Sequence, residues 1–113
     1  MKKSIDYYIA LSQKSSTDIN LNYIIGKIQE VGFDHLDPSE YMFLIKVYYG
    51  KIASLSEDKT LFTSKVDNIL RLHHLDIEDY SNNNMATVWD NARDVARILI
   101  NMYKQEKSKN EHK

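Results

Sequence analysis

The 113-residue chain is 42% apolar and 27% charged, which fits one globular domain able to bury a core without covalent staples. A net charge of −1 excludes a molecule-wide field drawing it to nucleic acid or acidic membrane, and the lack of cysteine excludes disulfide and thiolate chemistry. Residues 1–6 place a carboxylate where a signal peptide needs an apolar run, and the longest apolar run, residues 41–45, is far too short to span a bilayer, so a cytoplasmic protein is expected.

In chain order, Ser4 is placed to cap a first helix over residues 5–14, with Ile5, Tyr8 and Ile9 on one side. Ser15, Ser16 and Thr17 break it, and Thr17 or Asp18 caps a second helix over 18–31. The stripe Leu21, Ile24, Ile25, Ile28 and Val31 keeps helical spacing. Gly26 costs this helix about 1 kcal/mol against Ala, so it leans on tertiary contacts. Gly32 is suited to end it in a left-handed conformation.

Asp37-Pro38-Ser39-Glu40 is the sharpest start signal: a cap, a proline at the first helical position and a carboxylate able to reach back to the Asp37 N–H. The helix it opens, over 38–54, is apolar on almost every side, with only Lys46, Gly50 and Lys51 relieving it. Such a helix is surrounded by neighbours and is the expected centre of the fold. Ser56-Glu57-Asp58 opens a fourth helix over 57–74, with two carboxylates in its first turn. Its stripe is Phe62, Val66, Ile69 and His73, supported by Leu61, Leu70 and Leu72. One more short turn is expected within 75–80, before the polar break at residues 81–84, where Ser81 or Asn84 caps the last helix.

That last helix, over 84–107, carries the clearest pattern. Met85, Val88, Ala92, Val95, Leu99 and Met102 alternate in steps of three and four, with Trp89, Ala96 and Tyr103 beside them in steps of seven. At ~100° per residue these positions fill an arc about 140° wide, the buried face of an amphipathic helix. The stripe serves either the chain's own core or a homodimer seam. The fold predicted is all-α, a compact bundle of four to five helices (5–14, 18–31, 38–54, 57–74 and 84–107) in a single domain over 1–113, with a tail fraying from about residue 105.

The chemistry is sparse. His73, His74 and Asp76 stand close together, but adjacent histidines point ~100° apart on a helix, whereas paired metal ligands want spacings of three or four. In the 33–37 segment Asp37 is already explained by capping. There is no Gly-x-Ser-x-Gly motif and no Gly-rich phosphate loop. No catalytic residue, cofactor or metal is therefore assigned.

One surface feature stands out. Arg93, Arg97 and Lys104 fall within a sector of about 40° beside Trp89, a composition suited to an acidic protein partner or a nucleic-acid backbone. Asp90 and Asp94 lie on the same side, placed to pair with Arg93 and Arg97 at spacing three. The function expected is a small non-enzymatic interaction protein that binds and modulates or inhibits another protein, of the immunity, antitoxin or phage-inhibitor type. The Ile-, Lys-, Asn- and Tyr-rich usage fits an AT-rich bacterial genome or mobile element. A nucleic-acid-binding transcriptional regulator using the same strip is the alternative. A metal-dependent hydrolase centred on His73, His74 and Asp76 ranks below both.

Overall fold

The Asp37 start signal opens the helix on which the others are laid. The computed structural model describes residues 4–14, 19–77 and 85–111, which form five α-helices and no strand. They are α1 (Ile5–Lys14), α2 (Ile19–Val31), α3 (Pro38–Leu55), α4 (Lys59–Leu72) and α5 (Met85–Glu111), with a 3-10 turn at Phe33–His35 between α2 and α3. The expected all-α bundle is thus the observed one. The caps expected at Thr17 or Asp18 and at Ser81 or Asn84 lie outside the described residues, as does the 78–80 part of the expected short turn.

Helix α3 is buried on most of its circumference, through Tyr41, Met42, Leu44, Ile45, Val47, Tyr49, Gly50, Ile52 and Ala53. At its start the Glu40 carboxylate accepts the Asp37 N–H at 2.7 Å, and the Lys27 ammonium donates to the same carboxylate at 3.0 Å. One glutamate thereby caps α3 and ties α2 to it, and that hydrogen bond holds the Lys27 pKa above its ordinary value. Helix α5 lies along α3 in the same direction, with Ala92, Val95, Ala96 and Leu99 inward. Its stripe is intrachain core, and each buried Val or Leu contributes about 1.5–3 kcal/mol. Trp89, expected on the edge of that arc, is 40% exposed.

Helix α1 crosses α3. Its first turn sits beside Tyr49 and the start of α4, and its end, at Ser12 and Gln13, sits beside Lys51, Ser54, Leu55 and Tyr103. The crossing point is Gly50, where an added Cβ would lie 1.8 Å from the Tyr8 carbonyl oxygen. Gly50 is the place where two helix backbones meet, which its position in an apolar run did not reveal.

Helix α4 starts two residues later than expected. Asp58 is its cap rather than a first-turn residue: the side chain accepts the Leu61 N–H at 2.9 Å from an extended backbone. An Asp that caps lies outside the helix, and this moves Glu57 outside as well. The far end also falls short of residue 74. His73 terminates the helix, the Leu75 N–H donates to the Leu70 carbonyl at 2.9 Å, and the His74 N–H donates to that of Arg71 at 3.1 Å. This reversal needs positive φ, normally supplied by Gly; here His74 adopts φ 56. Burial of both Leu70 and Leu75 against each other's turn holds it there. Gly32 does take positive φ after α2, at φ 92, but with an extended ψ of 155, so the chain leaves in a 3-10 turn.

Two apolar stripes are only partly covered. On α2, Leu21 and Ile24 are buried while Ile25 and Val31 are exposed. On α4, Phe62, Val66 and Leu70 are buried, while Leu61 and Leu72 point outward at 66% exposure each. Helix α5 continues to Glu111, past the expected 107, because no Gly or Pro interrupts a run of good helix formers and Lys109 pairs with Glu106 at 3.5 Å.

Gly26 gives the converse of Gly50. It is exposed in the middle of α2 with nothing within 4 Å of an added Cβ. Gly26→Ala is expected to stabilise by up to about 1 kcal/mol and raise the melting temperature by roughly 4 °C, read by circular dichroism. A lower melting temperature would show that α2 bends where the sequence puts this glycine.

Candidate interaction surface

The end of α2 and the first half of α5 come together through the 3-10 turn. Gly32 turns the chain so that Phe33 and Asp34 face α5. Tyr41, fully buried on α3, anchors the turn: its hydroxyl donates to the Phe33 carbonyl and accepts the Leu36 N–H at 3.3 Å. Burial pushes the Tyr41 phenol above its usual range, against the opposing pull of the Leu36 N–H and of a hydrogen bond from the Trp89 side chain. The Phe33 and Tyr41 rings meet edge-on with centroids 5.4 Å apart.

Two guanidinium groups complete the surface. Arg97 pairs with Asp34, and its guanidinium carbon lies 5.3 Å from the centroid of the Phe33 ring. Arg93 lies between Asp90 at 3.5 Å and Asp94 at 3.6 Å. The expected pairing of Arg93 is therefore present. The pairing expected between Arg97 and Asp94 is replaced by one to Asp34, which is nearer the place where α5 passes the turn. Half-exposed ion pairs of this kind contribute little stability, so they leave the arginines exchangeable.

Of the four residues singled out from sequence, Trp89, Arg93 and Arg97 meet at this surface. Lys104 does not: it is exposed on α5 about 10 Å beyond Arg97, by a rise of 1.5 Å per residue. Its neighbour Tyr103 packs on Tyr48 at 5.5 Å and takes the Lys51 ammonium over its ring at 5.7 Å. Sequence reasoning missed Phe33, Asp34 and Tyr41. An aromatic and a carboxylate directly after Gly32 were a local hint of a functional turn, but their proximity to Arg97 spans 63 residues of chain.

The histidines sit elsewhere. His73 is half-buried with Nδ1 3.4 Å from the Ile69 carbonyl oxygen, while His74 is exposed. Among the described residues no three His, Asp or Glu side chains gather to hold a metal ion, and no helix is long and apolar enough to cross a membrane. Compared with protein-family models, curated proteins and solved structures, the chain matches none.

Proposed function

We propose that this chain is a small non-enzymatic binding protein that docks another protein on the Trp89–Arg93–Arg97 surface and thereby modulates or inhibits it. The observation that carries the reading is the combination of a 40% exposed Trp89 with two arginines, held on a turn that Tyr41 fixes from beneath. Trp, Tyr and Arg dominate binding energy at protein interfaces because they fill large areas with few rotors and keep polar tips. A rigid foundation lowers the ordering cost of binding. The partner side that fits is apolar at its centre with carboxylates beside it, able to take Arg97 from Asp34. Asp90, Asp94 and Asp34 already face the two arginines, which lowers the potential a phosphate backbone would meet and favours a protein partner. The AT-rich codon usage supports a bacterial or mobile-element source.

The test is affinity capture from bacterial hosts of that type in several growth states, comparing wild type with Trp89→Ala and Arg97→Ala. A specific partner should lose about 30-fold or more in affinity to Trp89→Ala, the loss of a hot spot of ~2 kcal/mol. The same protein recovered equally by both variants, or none recovered in any state, would remove the proposal.

A further inference from the structure

On a different face, we propose that a second copy of this chain docks on the outer side of α4, helix against antiparallel helix. Leu61 and Leu72 are 66% exposed each and stand 11 residues apart, about 20° from alignment on one face. Lys65 and Asn68 lie between them, so the stripe advances in steps of four, three and four, the spacing of a helix-pair seam. The chain's own core takes the opposite side of α4, through Phe62, Val66 and Leu70, with Phe62 on the Tyr49 ring at 5.5 Å.

The occupant follows from the order along the stripe. It reads apolar, polar, polar, apolar from either end, which is the self-complementarity a two-fold interface demands. Antiparallel pairing sets Leu61 against the partner's Leu72 and Lys65 against the partner's Asn68, a cation facing an amide oxygen. Parallel pairing would set each Lys65 on its own copy. The ends agree in charge: Glu57 and Asp58 precede α4, Arg71 lies in its last turn, and the antiparallel register brings one end over the other.

Shape agrees too. Beside Leu61 lies a groove of about 280 Å³ floored by Ile52, Leu55, Phe62 and Met102. The last turns of α5, at Glu106 and Lys109, wall its far side. It has room for the side chain of the partner's Leu72. One short helix pair with a groove edge is a small contact, so the dimer is weak and depends on concentration.

Because the chain has no cysteine, the register can be read by cross-linking. Leu61→Cys and Leu72→Cys are made separately, and both sites are exposed enough to leave the melting temperature near that of wild type. Under mild oxidation the mixture of the two variants is expected to give a disulfide-linked heterodimer, and neither variant alone to give a linked dimer. In the antiparallel register like positions sit about 16 Å apart along the helix, beyond the ~7 Å Cα limit for a disulfide. Sedimentation velocity of the wild type should show a dimer growing from micromolar to millimolar concentration, lost in Leu61→Lys/Leu72→Lys. Linked dimers from each variant alone, a wild type that stays monomeric throughout, or a dimer that survives the double lysine substitution would each overturn the proposal. None of these outcomes touches the Trp89 surface, so the two proposals stand or fall separately.

Discussion

Gly50→Ala is expected to lower stability by about 3 kcal/mol and the melting temperature by roughly 10 °C, although it adds a single carbon. The new Cβ would lie 1.8 Å from the Tyr8 carbonyl oxygen, 2.4 Å from its carbon and 3.0 Å from the Ile9 nitrogen. These are backbone atoms, so no rotamer change relieves the overlap; α1 must lift from α3. That lift uncovers Tyr8, which is fully buried with its ring 4.9 Å from that of Tyr49. Helix propensity acts the other way, favouring Ala over Gly by about 1 kcal/mol, and is outweighed by the overlap. Calorimetry of Gly50→Ala beside Gly26→Ala separates the two effects, since the same chemical change should move the melting temperature in opposite directions. A Gly50→Ala protein melting at or above wild type would mean that α1 does not cross where the structure puts it.

Val95→Asp and Leu99→Asp should each abolish the cooperative transition at 25 °C or bring the protein close to that point. Both positions are fully buried between α5 and α3. An unpartnered carboxylate there costs several kcal/mol, on top of the lost apolar burial of about 1.5–3 kcal/mol. A domain of this kind has only about 5–15 kcal/mol in total. Asn101→Asp, on the exposed side of the same helix, is the control and should stay within about 0.5 kcal/mol of wild type. Retention of a wild-type melt by Val95→Asp would show that α5 does not dock by this stripe.

The candidate surface was half legible. Trp89, Arg93 and Arg97 share a flank of one helix, and helical geometry alone puts them together. Their partners were hidden for a physical reason. Asp34 and Phe33 belong to a three-residue turn whose only local signal is the preceding glycine, and Tyr41 looks like any apolar residue of α3. Lys104 shows the opposite error: angular alignment on a long helix ignores distance along its axis, and fifteen residues past Trp89 is about 22 Å.

Element boundaries were misjudged where a single side chain decides between helix and cap. Asp58 suits either a first turn or a capping position, and His74 carries no mark of the positive φ it adopts. Such choices turn on whether Leu75 can bury against Leu70, which is a tertiary matter.

What the amino-acid order determined by itself was therefore the set of helices, the capped start of α3, and the inward faces of α3 and α5. Those follow from periodicity and hydrogen bonding within a few residues, interactions that are complete before any neighbour arrives. Tertiary structure alone decided which leucines and isoleucines of α2 and α4 are covered, where Gly50 lets two backbones touch, and which carboxylate Arg97 takes. Coverage and close approach depend on how many neighbours an element finds and from which side, and α2 and α4, at the periphery, find too few to shelter every apolar residue they carry.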